Sequence, residues 1–266
     1  MEGKVLYEKR DKIAYVTINR PEVHNCINPE TSNQLIAVWD EIKRDRDVRV
    51  AILTGAGGDA FCTGADLKEL IPYIRDVESP EESRRRAYEG PGWGGLSGGY
   101  VIYTPIIAAI NGYCIAGGHE LAEFCDIRVA ADHAIFGHQE IKWGLDPGDG
   151  GCSRLWRIVG LGRALEIILT GKLYDAQEAY RIGFVNHVVP LKDLMAKATE
   201  IAETIASNGP LATRAAKQAV LHSIGRPLHE GIKFETDTFN YLCRSEDWLI
   251  GQKAFLTGTK PEFRRK

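Results

Sequence analysis

Ile106-Ile-Ala-Ala-Ile-Asn-Gly-Tyr-Cys-Ile-Ala-Gly-Gly-His-Glu-Leu-Ala-Glu-Phe-Cys-Asp126 is the stretch on which the fold turns. Its apolar, β-branched start (Ile106, Ile107, Ile110) reads as a buried strand, Asn111-Gly112 as a turn, and Gly117-Gly118 as the tight entry to a helix beginning near His119. A strand that feeds a helix through glycines leaves the first helical N–H groups unpaired and pointing outward. The helix dipole adds partial positive charge there, so the corner suits an anion or a developing oxyanion. Glu120 falls in the first turn, where a carboxylate serves either as ordinary capping chemistry or as a base beside that oxyanion site.

Outward from this corner the pattern repeats. Upstream, Val48 to Thr54 is a near-continuous apolar run of the kind found in strands covered on both faces, and Gly55-Ala-Gly-Gly58 ends it. Phe61-Cys-Thr-Gly-Ala-Asp66 then leads through a glycine into another helix, with Ala65 and Asp66 at its first free N–H groups and Asp66 placed as an N-cap. The N-terminus reads as a hairpin of Val5–Lys9 and Ile13–Ile18, followed by a loop and a helix capped by Asn28 with Pro29 at its first position. Ser79-Pro-Glu-Glu82 caps a charged helix. The segment 90–99, with six glycines in ten positions, reads as a lid over a pocket or as a plain mobile loop.

Downstream of the corner, Ile127–Ala131 and Ala134–Phe136 read as strands, and Gly137–Gly151 as a polar, glycine-rich loop opening a helix over 153–159. Leu161–Thr170 is helical, Asp175 caps a helix that ends at Gly183, and from Leu194 the pattern is helical throughout with a break at Gly209-Pro210. Strands concentrate early and helices late, which indicates an α/β body with a helical C-terminal region. There is no fixed-period repeat of the solenoid kind.

Composition limits the function classes. The chain has 266 residues, 44% of them hydrophobic, enough for one sizeable core. With 33 basic and 36 acidic residues, a net charge of -3 gives no electrostatic footprint for nucleic acid. Arg84-Arg85-Arg86 and Arg264-Arg265-Lys266 read as a solvated helix face and a charged tail. The six cysteines (Cys26, Cys62, Cys114, Cys125, Cys152, Cys243) show neither metal-ligand spacing nor a disulfide framework, so reduced thiols in a cytoplasm are expected and no metal. No signal core or long apolar run is present, so no membrane association is expected.

Several motifs, in order, resemble those of the crotonase (enoyl-CoA hydratase/isomerase) superfamily. They are Arg20-Pro21, Ala60-Phe-Cys-Thr-Gly-Ala-Asp-Leu67, Ala108-Ala-Ile-Asn-Gly112, Gly117-Gly-His-Glu-Leu-Ala122, Cys125-Asp126, Phe136-Gly137, Glu140, Gly144, Pro147-Gly148 and Ala179-Tyr-Arg-Ile-Gly-Phe-Val185. Motifs kept in order over most of a chain are far more specific than one glycine pattern.

The resemblance implies a spiral of ββα repeats (residues 1–195) and a C-terminal helical region (196–266) used in forming a homotrimer or a homohexamer. It implies an acyl-CoA substrate and no cofactor beyond the coenzyme A of that thioester. It puts the thioester oxygen on the N–H groups of Ala65 and Gly117, the two corners found above, and makes Glu120 and Glu140 the acid–base pair of a hydratase. Thr63, Asp66 and the loop 20–24 match regions along pantetheine and adenine; Lys260 and Phe263 match an element that closes the nucleotide site.

Where relatives carry small or apolar residues, this chain has His119, Asp146 and Asp149. Asp149 either favours an oxygenated or cyclic acyl group or, with Asp146, caps the helix near Ser153. His119 is either a satisfied core histidine or a substrate-binding residue, and Trp143 either packs or walls a ring. Three readings follow: hydration of an unsaturated acyl-CoA, C–C bond hydrolysis of a cyclic diketone or ketoacyl-CoA with Asp149 and His119 activating water, and a non-catalytic or RNA-binding relative. Retention of both glutamates and the near-neutral charge favour the first.

Overall fold

The computed structural model describes residues 3–73, 75, 79–95 and 101–266. Val5–Arg10 (β1) and Ile13–Ile18 (β2) form the expected antiparallel hairpin. β2 then runs parallel to Val50–Gly55 (β3), β3 to Ile106–Ile110 (β5), β5 to Ile127–Ala131 (β7), and β7 to His187–Val189 (β10). This gives a six-stranded sheet of order β1-β2-β3-β5-β7-β10.

Strand β5 is buried along its whole length, and its alternation shows why an unbroken apolar run is needed. Ile106, Ala108 and Ile110 enter one core with Leu35, Trp39 and Ile42 of helix α1 (Pro29–Arg44). Ile107 and Ala109 enter a second core with Leu194, Ala198, Ala202 and Ala206 of helix α8 (Leu191–Ser207). Both faces of the sheet are therefore covered, as parallel sheets require. Asn28 caps α1 by accepting from the Thr31 N–H.

Three further strands, Ala60–Cys62 (β4), Tyr113–Ile115 (β6) and Ile135–Gly137 (β8), run parallel to one another, with Tyr174–Asp175 (β9) antiparallel at the edge. Three consecutive strand pairs each place the first strand in the large sheet and the second in this small one, and then enter a helix or helical turn. β3 and β4 lead to α2 (Leu67–Pro72), β5 and β6 to α4 (Gly117–Phe124), and β7 and β8 to the 3-10 turn Glu140–Trp143. That is the spiral of ββα repeats. The sequence reading ran β5 directly into its helix; β6, three residues long, is too short to alternate visibly.

The capping box at Ser79 and Glu82 opens α3 (Pro80–Glu89) as expected. In the glycine-rich segment, Trp93–Gly95 are buried against α1, where the Trp39 indole donates to the Gly94 carbonyl and the Gly94 N–H to Ser32. Residues 96–100, the rest of the expected lid or loop, lie outside the described residues. The C-terminal part is helical: α5 (Gly151–Val159), α6 (Leu161–Thr170), α7 (Ala176–Arg181), α8, α9 (Pro210–Ser223), α10 (Leu228–Leu242) and α11 (Glu246–Thr257). Among the described residues no helix is long and apolar enough to cross a membrane.

Candidate active site

Because β4 and β6 are parallel neighbours, the two strand-to-helix corners that follow them lie side by side. The contact is close enough to dictate glycine. A Cβ on Gly64, whose φ is +91°, would stand 2.9 Å from both the Ala116 Cβ and the Gly117 nitrogen. A Cβ on Gly118 would meet the Cys62 carbonyl oxygen at 2.0 Å. Around Ala65, Ile27 N–H donates to Gly64 O and Asp66 N–H to Ile27 O. Neither Ala65 N–H nor Gly117 N–H, the first of α4, has an acceptor among the described residues. Two unbonded amides thus sit beside the positive end of α4. At the other end of that helix, the buried Arg128 guanidinium donates to the carbonyls of Ala122 and Cys125 and so satisfies the last turn.

Glu120 is buried, and its Oε1 accepts from the N–H groups of Asp149 and Gly151, each at 2.8 Å. Burial, then the charges of Asp149 and Glu140, push its carboxyl up to about 8 against the Gly151 hydrogen bond. Glu140 opens its 3-10 turn close enough for its charge to be felt at Glu120, and its Oε2 is buried without a hydrogen bond among the described residues. His138 Nδ1 is 3.6 Å from that oxygen. Two carboxyls at one corner, one held neutral by its surroundings, can share a proton with a bound water.

The remaining sequence candidates divide. Asp66 caps α2 through the Lys68 N–H and pairs with Arg20 at 3.0 Å; burial would raise this carboxyl, but the guanidinium holds it below the usual range. Thr63 Oγ1 donates to the His24 carbonyl, which ties the loop 20–24 to the same edge. Asp149 contributes its backbone, N–H to Glu120 and carbonyl to Arg154, besides its charge. Lys260 and Phe263 line a cavity of about 800 Å³ with Lys12, Arg49 and residues 206–209, which neither glutamate reaches. Trp143 is 74% exposed, so the packing reading does not describe it in this chain.

His119 is fully buried, its ring stacked on Phe184 at 4.2 Å. Its Nδ1 is 2.8 Å from Glu123 Oε1 and its Nε2 is 2.5 Å from the Tyr174 hydroxyl, which leaves no ring nitrogen for an acyl group or a water. The core-histidine reading therefore describes it. Sequence reasoning missed Glu123, His138 and Tyr174. The i,i+4 spacing of His119 and Glu123 on α4 was the only readable sign, since His138 and Tyr174 arrive from other strands. His138 Nε2 also meets Glu123 Oε1 at 2.8 Å.

The ligand atoms of His119, Glu123 and His138 lie within 4.8 Å of one another. Ligands of a tetrahedral metal at about 2.1 Å stand about 3.4 Å apart, whereas two contacts of 2.8 Å onto one oxygen have hydrogen-bond spacing.

The model of the enoyl-CoA hydratase/isomerase family matches residues 8–266. The chain belongs to that family. It is 38% identical over 265 residues to a short-chain-enoyl-CoA hydratase of Clostridium acetobutylicum, covering 98% of this chain and 97% of the relative. It is 39% identical over 260 residues to an (E)-benzylidenesuccinyl-CoA hydratase of Thauera aromatica, covering 98% of each. Among solved structures, an enoyl-CoA hydratase of Mycobacterium tuberculosis superposes with a TM-score of 0.90 at 35% identity and full coverage of both chains. One from Bacillus anthracis superposes at 0.89 with 36% identity, covering 99% of this chain and 100% of that one. The fold of this hydratase-family chain is thus the crotonase fold expected from its motifs.

Proposed function

We propose that this member of the family is a hydratase, a lyase that adds water across the 2,3 double bond of an unsaturated acyl-CoA. The thioester oxygen binds the N–H groups of Ala65 and Gly117. Glu120 orients and deprotonates the water, whose oxygen bonds to C3; negative charge builds on the thioester oxygen, and Glu140 supplies the proton at C2 and receives it in the reverse direction. The observation that carries this reading is the pair of unbonded amides where β4 and β6 run side by side, with Glu120, pushed up to about 8, in the first turn of the helix that follows β6 and the Glu140 charge bearing on it. Hydrolysis by an Asp149–His119 pair gains no support, because both His119 nitrogens are engaged.

Further parts of the reading rest on the resemblance. Thr63, Asp66, Lys260 and Phe263 bind the coenzyme, Asp149 faces an oxygen on the acyl group, and no cofactor takes part beyond the substrate's own coenzyme A. Residues 1–195 form the catalytic core, and residues 196–266 assemble a homotrimer or homohexamer in the cytoplasm. Leu228, Phe255 and Leu256, each more than three-quarters exposed, support the assembly, and six unpaired cysteines support a reducing compartment.

The names of the two relatives bracket the acyl groups to try, from crotonyl to aromatic or cyclic enoyl thioesters. Loss of enoyl absorbance should report hydration by the native chain, with Glu120→Gln and Glu140→Gln each slower by on the order of 10² to 10⁴. Undiminished hydration in Glu140→Gln would remove that residue from the mechanism.

A further inference from the structure

Behind Glu140 lies a line of buried polar side chains that hydration as proposed does not use. Tyr174 comes from β9, His119 and Glu123 from α4, and His138 from the segment joining β8 to the Glu140 turn. Phe136 and Phe184 wall the His119 ring. Proton directions follow from chemistry. An ionised Glu123 only accepts, so His119 donates to it through Nδ1 and His138 through Nε2, both at 2.8 Å. His119 Nε2 then accepts from the Tyr174 hydroxyl. That leaves His138 Nδ1 and Glu140 Oε2, two buried atoms without a hydrogen bond among the described residues, facing each other at 3.6 Å. A lone pair on that nitrogen would repel the carboxylate, whereas a proton on it makes an ion pair and satisfies both atoms.

We propose that His138 is the positioning residue of Glu140: an imidazolium, anchored on Glu123 and through it on His119 and Tyr174, that orients Glu140 and stabilises the carboxylate left when its proton passes to C2. The assignment rests on Glu140 belonging to the site as read above. The charged and titratable groups that act on the ring are His119, Glu120 and Glu123 from α4 and Glu140 from its own segment; Tyr174 from β9, Arg128 from β7, and Cys152 and Arg154 from α5 act on its anchor, Glu123. The ring is also clamped sterically, since a Cβ on Gly151 would lie 2.7 Å from its Cε1. Burial would lower the His138 pKa, but the hydrogen bond to Glu123 and the neighbouring Glu140 carboxyl raise it to about 9. Burial and the His138 charge lower His119 to about 4, so one ring is charged and the other neutral at pH 7.

The test has a spectroscopic arm and a kinetic arm. Imidazole ¹⁵N spectra of the full-length protein at pH 7.5 should show one ring with both nitrogens protonated, absent from His138→Gln and neutralised in Glu123→Gln. A neutral His138 ring in the native chain overturns the proposal, as does one tightly held zinc ion per purified chain, since ligating nitrogens cannot be N–H donors. In the kinetic arm, with crotonyl-CoA, His138→Gln should lower kcat/KM about tenfold or more with KM changed less than about twofold. It should cost nothing further in a Glu140→Gln background. An equal loss in that background overturns it. If Glu140→Gln hydrates as well as the native chain, the mechanistic reading of Glu140 fails, and the spectra still decide whether His138 is charged.

Discussion

Glu120 shows how one residue's surroundings set its chemistry. Its folded pKa of about 8 lies above the ordinary 4.5, so the folded chain binds this proton more tightly than the unfolded one. The associated stability is full below about 4.5 and is lost as pH rises through about 8. Activity should run the opposite way, because a base must be ionised: kcat/KM for crotonyl-CoA should climb with pH through about 8. Denaturant titrations between pH 5 and 9 should show unfolding free energy falling in the native chain and flatter in Glu120→Gln. A kcat/KM that falls through the same range would instead make Glu120 the acid. Glu120 and Glu140 were legible because each sits in a motif of its own. Glu123, His138 and Tyr174 were not, since a contact assembled from α4, the segment after β8, and β9 leaves no spacing in the chain. His119 shows the limit most plainly: its identity was readable, and its burial was set by Phe136, Tyr174 and Phe184.

At the scale of elements, the long apolar strands and well-capped helices could be read from periodicity, whereas β4, β6 and β8, three residues each, could not. Those short strands nevertheless bring the two amide corners together. Gly118→Ala should therefore drive a methyl group into the Cys62 carbonyl, costing at least about 1–3 kcal/mol of stability and most of the hydratase activity. Gly162, in the first turns of α6, meets nothing within 4 Å. There, alanine should stabilise by about 0.5–1 kcal/mol with unchanged rates. Urea unfolding of both variants would test the pair; two shifts of the same sign would mean the corners are not packed as described.

For the whole molecule, the six-stranded sheet is sealed by α1 on one face and by the alanine face of α8 on the other, while α10 and α11 leave Leu228, Phe255 and Leu256 exposed. Sedimentation equilibrium should give three or six times the chain mass if these helices assemble as proposed. A monomer at micromolar concentration would overturn that part of the reading. The general plan of strands first and helices last was visible in the pattern of the chain, but residues facing a neighbouring copy carry no local signature distinguishing them from core.

One earlier detail bears on redesign. The segment that carries Asp146 and Asp149 also fastens Glu120, through the main chain at positions 149 and 151. Directed evolution aimed at new substrates would naturally randomise 145–149, and most side chains there can change without touching the fastening. Proline at 149 or 151 deletes an amide hydrogen and unmoors Glu120. Libraries should keep that imino acid out of both positions, and clones that carry it should be inert whatever thioester they are offered.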